Sequence, residues 1–192
     1  MGATRKLRNA PIVEAVFDVD CDLPSNFNLE ALREKALEFF RDRYPTSRTL
    51  HLQEHRIEAQ LGASLTASTS RLSVQALQFL QADEKQLVQV RSQGFSFNRL
   101  APYASLDEYL PEIERAWGLY AKLAQPIHIR TIRLRYINRI QLPIDRGNVD
   151  LDKFFRVGPR LPDEDRLLLN SFLIKHGAVD GETDNRVSIL YV

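Results

Sequence analysis

The chain has 192 residues, 44% hydrophobic and 27% charged, and its 26 Lys and Arg against 25 Asp and Glu leave a net charge of +1. That composition excludes a disordered chain, and the near-zero charge excludes a global field steering the protein to nucleic acid or an anionic membrane, so any basic site is a local patch. The length suits a single domain, read as residues 1–192, which buries roughly 70% of its unfolded surface. Cys21 is the only cysteine and forms no intrachain disulfide, no apolar signal segment follows Met1, and no uncharged apolar run approaches the roughly 18 residues of a spanning helix. The expected location is cytoplasmic, with no membrane partner.

In chain order, Val13, Ala15, Phe17 and Val19 alternate as in a half-buried strand. From Leu29 the apolar positions Leu29, Leu32, Ala36, Phe39 and Phe40 step at helical spacing, with Asn28 as N-cap and Pro45 after the last turn. Between Leu50 and Leu61 the apolar parity changes from even to odd, which predicts a bulge or break. Strand alternation returns at Leu72, Val74 and Ala76, at Val88 and Val90, and at Phe95 and Phe97. A second apolar helical stripe runs from Leu106 through Tyr109, Ile113, Ala116, Trp117 and Tyr120 to Ala121, ahead of Pro126. Ser105 and Glu108 form a capping box at its start, yet that start places Pro111 deep in the helix, so the helix either kinks there or begins at Pro111. Leu134, Tyr136, Ile140 and Leu142 share one strand face, Leu167, Leu169 and Leu173 another, and Val187, Ile189 and Tyr191 a third. Pro143 to Asp165 reads as loop, with one short helical turn within Leu151 to Val157. The final apolar alternation reaches Val192 with no cap or polar tail, and the chain is expected to be truncated at that end.

The order is strand, helix, about three strands, and then the same again from Phe95, which suggests a duplicated βαβββ unit; Phe97-Asn98-Arg99-Leu100 recurs as Ile137-Asn138-Arg139-Ile140. Only the two helical links are long enough for packed crossovers, so neighbouring strands are expected to pair mainly antiparallel. The fold class is therefore α+β: one curved, mainly antiparallel sheet with both helices on one face, Phe39 and Trp117 turned toward it.

His51-Leu52-Gln53-Glu54-His55 has the H-x-x-E-H form of some zinc peptidases, but that chemistry needs a helix and this setting reads as strand or loop, so no metal site is assigned. Asp180, Glu182 and Asp184 flank Gly181 where a hairpin tip is expected, and Asp163, Glu164 and Asp165 read as a solvated loop; neither cluster has calcium-loop spacing. No nucleophile elbow or phosphate-cradling loop is present and no histidine neighbours Cys21 in sequence, so no catalytic residue and no cofactor are assigned. Ile132 to Leu142 carries the most information. Extended, it places Arg133, Arg135 and Arg139 on one face and Asn138 on the apolar face, where a buried amide needs a partner. Glu14, on the first strand, is the candidate partner for the arginines.

Ala10-Pro11-Ile12-Val13-Glu14-Ala15-Val16, Leu87-Val88-Gln89-Val90 followed by Phe95, Phe97-Asn98-Arg99-Leu100 with Pro102-Tyr103, and Leu134-Arg135-Tyr136-Ile137-Asn138-Arg139-Ile140 resemble a sporadically distributed, uncharacterised bacterial protein family. The likeness runs in the same order from about Pro11 to Pro162. It implies bacterial origin, longer members and a patchy occurrence in accessory loci, and no known reaction, cofactor or ligand. It marks Glu14, Asn98, Arg135 and Asn138 as family-like positions without a role.

Two functional expectations follow. The first is a non-catalytic binding or assembly module of an accessory system, such as a defence locus, with a protein partner or a second copy of itself. The second is an enzyme, or a protein handling nucleic acid or a phosphorylated ligand, that uses the arginine-bearing sheet face. Its ligand-binding candidates are Glu14, Asn98, Arg133, Arg135 and Arg139.

Overall fold

Alternation in β1 (Ile12–Asp22) divides the strand into an odd-numbered apolar face and an even-numbered charged one, and the architecture is built around that division. The computed structural model describes residues 10–57, 68–142, 153–154 and 173–191. The chain divides into two units, Met1–Ile140 and Gln141–Val192, each described by itself.

In the first unit β1 is followed by α1 (Arg33–Phe40), β2 (Thr46–Ile57), β3 (Ser68–Leu80), β4 (Gln86–Arg91), β5 (Gly94–Leu100), α2 (Leu106–Ala124) and β6 (His128–Asn138). The six strands form one sheet in the order β2-β3-β4-β5-β1-β6, antiparallel at every pairing. Counting directions across that order makes β1 parallel to β2, and β5 parallel to β6, so each helix is the crossover of a βαβ unit with strands inserted between its parallel pair. The two crossovers run in opposite directions along the sheet from oppositely directed strands. A half-turn about the sheet normal interconverts the two cases, so the right-handed crossover rule places both helices on the same face. The buried side chains of α1 and α2 indeed share one cluster with Val19, Cys21, Leu77, Phe79, Val88, Val90, Phe95 and Phe97.

Within this α+β frame several local expectations are met and others corrected. Leu29, Ala36 and Phe40 are buried as the stripe requires, but α1 begins only at Arg33. Asn28 Oδ1 accepts from the backbone N–H groups of Glu30 and Ala31 (3.0 and 3.2 Å), so it caps a leading turn rather than the helix. Phe40, stacked on Phe79 at 4.9 Å, takes the deep position, while Phe39 is only half-buried, with the Lys35 ammonium over its ring. Trp117 does turn to the sheet, meeting Phe95 edge-on at 5.7 Å. Ser105 is the N-cap as expected, its Oγ accepting from the Glu108 N–H, and α2 runs on through Pro111 to Gln125, whose left-handed backbone ends it. The expected bulge lies between Leu50 and His51, where the β2–β3 register shifts.

In the second unit β7 (Ile174–Val179) and β8 (Arg186–Tyr191) form an antiparallel hairpin. Asp180 Oδ1 accepts from the N–H groups of Glu182 and Thr183 at its tip, which is the turn chemistry expected of that acidic cluster. The strand expected through Leu167 and Leu169 and the loop from Pro143 lie outside the described residues, except for Lys153 and Phe154. Among the described residues no helix is long and apolar enough to cross a membrane.

A clamp joins the two crossovers. Tyr44, just past α1, donates to Glu112 Oε1 of α2 (2.8 Å) and accepts from Gln86 Nε2 of β4 (3.0 Å), while Arg115 and Arg43 close on the same carboxylate at 2.6 and 2.7 Å. Burial pushes the Glu112 carboxyl up, but hydrogen bonds from Arg115 and Tyr44 outweigh it and hold it below its ordinary value. Glu112→Ala strands the buried Tyr44 hydroxyl as a donor and is expected to cost about 1–3 kcal/mol in urea unfolding, with Glu112→Gln costing less. Because the folded pKa is depressed, the stabilisation is full well above pH 4.5 and is lost as pH falls through the folded value. The stability gap between the native chain and Glu112→Gln should therefore shrink below pH 4.5, which unfolding midpoints at stepped pH would check.

Candidate functional site

The sheet face turned away from the helices carries the even-numbered residues of β1, and the antiparallel register supplies their partners. Asp18 stands opposite Ser96 of β5 on one side and Arg133 of β6 on the other; Val16 stands opposite Asn98 and Arg135. Two polar rows result. In one, Gln78 donates to Gln89 (3.0 Å), Gln89 to Asn98 (2.9 Å) and Asn98 to Glu14 (2.6 Å), a chain of amides crossing β3, β4, β5 and β1. In the other, Arg91 Nη2 and Arg133 Nη2 grip the two oxygens of Asp20 at 2.8 and 2.6 Å, Ser96 donates to Asp18 at 2.5 Å, and Arg135 approaches Asp18 at 3.8 Å.

Gly94 makes the second row possible. It sits between Arg91 and Asp20 in register, and with no side chain it lets the Arg91 guanidinium cross β5 to the far strand. On the way Arg91 Nη2 also donates to the carbonyls of Phe95 and Val19. The Gly94 φ of 148° suits no other residue, and a Cβ there would lie 2.0 Å from the Val19 carbonyl oxygen.

Burial raises the Asp20 carboxyl, yet the hydrogen bonds from Arg91 and Arg133 win and hold it below its ordinary value. Asp18, Ser96 and Asn98 are buried, and their charges and dipoles are met by neighbouring side chains: Ser96 by Asp18, and Asn98 by Gln89 and Glu14. At the β6 side the face opens to solvent, and the side chains of Arg133 and Arg135 remain 51% and 63% accessible.

Glu14, Asn98, Arg133 and Arg135 are thus brought to one face, while Arg139 lies past the end of β6, its N–H bonded to the Pro11 carbonyl. The expected pairing of Glu14 with the arginines is corrected: its partner is Asn98, and Asp18 and Asp20 answer the arginines, because the register sets Glu14 opposite Ile137. Asn138 keeps the parity of the apolar face, opposite Ile12, but lies exposed at the end of an edge strand, so its amide is solvated rather than buried. Sequence reading missed Asp18, Asp20 and Arg91. The signal for the two aspartates was present, since they alternate with the apolar positions of the first strand and share the parity of Glu14.

His51 and His55 lie on β2, where a rise of about 3.3 Å per residue separates their Cα atoms by about 13 Å, against about 6 Å on a helix. Among the described residues no group of three His, Cys, Asp or Glu is placed to hold a metal ion. Cys21 faces the helices, and burial pushes its thiol up, away from the reactive thiolate. No protein family, curated protein or solved structure matches the chain.

Gly94→Ala combines a backbone clash with an unfavourable φ, and denaturant unfolding should show a loss of about 3 kcal/mol or more. Asp20→Asn is expected to cost about 1–3 kcal/mol by leaving two guanidinium groups facing a neutral amide. A double-mutant cycle should show stronger coupling of Asp20 to the partly buried Arg91 than of Asp18 to Arg135, whose pair is longer and more exposed.

Proposed function

We propose that this chain is a non-catalytic binding or assembly module whose contact surface is the β6 side of the sheet. The carrying observation is the exposure of all eleven residues of β6, with Ile132, Leu134 and Tyr136 more than 40% accessible on one face and two half-free arginines on the other. Unpaired strand edges with apolar side chains are sites of strand addition by another chain. The mutual consumption of charge elsewhere on the outer face supports binding over catalysis, since Glu14, Asp18, Asp20 and Arg91 are all engaged by neighbours. The resemblance to a patchily distributed bacterial family supports an accessory role.

A second reading, capture of a phosphorylated ligand or nucleic acid, is favoured by one feature: the Arg135 side chain is 63% accessible and its guanidinium stands 3.8 Å from the Asp18 carboxylate, leaving donors for a phosphate. A photo-crosslinking residue at Leu134, compared with one at exposed Glu38 of α1, tests the first reading. A discrete adduct from position 134 that is absent from position 38 is the expected result, and identical patterns from both would refute it. Arg135→Ala should leave the unfolding free energy within about 0.5 kcal/mol of native while any oligonucleotide or phosphopeptide binding, measured by anisotropy, is unchanged. Loss of such binding would favour the second reading.

A further inference from the structure

Resting on the binding-module reading, we propose that the outer edge of β6 accepts an extended segment of a different protein in which acidic and apolar residues alternate. Among the described residues no strand pairs with that edge, and β6 is regular from Thr131 to Ile137, its register shifts against β1 falling outside that stretch. Seven residues of unbulged backbone therefore present a continuous set of hydrogen-bonding groups to an incoming strand.

The side chains determine what that strand must carry. On the helix-side face Ile132, Leu134 and Tyr136 point to one side and on the outer face Arg133 and Arg135 to the other. A residue added opposite each of them inherits its face, because side-chain parity is shared across a ladder. Apolar residues are needed opposite Ile132, Leu134 and Tyr136, and carboxylates opposite the arginines. Each guanidinium has five donors and an accessible half, so Asp18 and Asp20 do not exhaust them.

The same charges argue against a second copy of this chain. Antiparallel self-pairing about Leu134 would set Arg133 opposite the other copy's Arg135, and parallel in-register pairing would set each arginine opposite itself. Like charges directly opposite are destabilising, and neither arrangement brings a carboxylate from β6, which has none.

The test varies the probe rather than the fold. The full chain is titrated by fluorescence anisotropy with a labelled peptide of alternating valine and glutamate, with the same peptide carrying lysine for glutamate, and with a scrambled peptide of equal composition. The acidic alternating peptide should bind at least about tenfold more tightly than either control, and the preference should diminish with added salt. Two N-methylated versions, blocking the amides of the valines or of the glutamates, probe the backbone: one should lose binding and the other keep it, since successive amides of a strand point to opposite edges. Equal binding of acidic and basic peptides, indifference to both methylations, or a concentration-dependent dimer in sedimentation that is lost in Leu134→Glu would overturn the proposal. Failure here with a specific Leu134 adduct retained would reject the strand chemistry alone, whereas loss of that adduct would reject the binding module itself.

Discussion

The register of β1 against β5 and β6 is the constraint on which everything else depends. One face of the strand must lie under two helices, where Val19 and Cys21 are buried, and the other carries Glu14, Asp18 and Asp20. A slip of one residue would drive those carboxylates into the apolar cluster and turn Phe17 and Val19 outward, so mispaired registers are strongly penalised. The outer rows sharpen the choice. Ser96 reaches Asp18, Asn98 reaches Glu14, and Arg91 reaches Asp20 across Gly94 only when all three strands are in step. Paired buried charge adds little net stability, and its clearer effect is to single out one alignment from many.

Chirality then decides where the helices go. The two crossovers run in opposite directions from oppositely directed strands, so crossovers of one hand land on the same face, and the helices share one buried cluster there. That leaves α1 and α2 to share a cluster and the Glu112 carboxylate to tie them, through Tyr44, to the start of β4 at Gln86. Among the described residues of this unit no helix lies on the opposite face, and amides and ion pairs satisfy one another across its strands.

Much of this was legible in the sequence because period is a local property. Alternation identified β1, β3, β4, β5 and β6, helical spacing identified α1 and α2, the parity change before Ile57 marked the bulge at Leu50, and the acidic turn marked the tip of the last hairpin. Partnership is not local. The face of Glu14 could be read from its neighbours, but whether it meets Arg135 or Asn98 depends on a register that no single strand encodes. Phe39 and Phe40 differ by one helical step, and which goes deep depends on where Phe79 stands. Asn138 was expected to be buried because its parity is that of Leu134 and Tyr136; position at the sheet edge, which parity does not report, left all three accessible.

The two edges of the six-stranded sheet deal with exposure differently. β2 is interrupted by a register shift at Leu50 and its sequence is rich in Ser, Thr, Arg and His, so it offers no straight ladder to a stray strand. Among the described residues β6 is straight through its centre and apolar on one side, with Arg133 and Arg135 alternating on the other. Charge of one sign is a selective guard. Such a guard would repel a copy of itself and any basic strand and would admit one that brings carboxylates in the right parity, whereas a bulge or a proline would exclude all comers alike. Aspartates 18 and 20 hold those arginines to the outer face while engaging only part of each guanidinium, and more than half of each arginine side chain stays accessible.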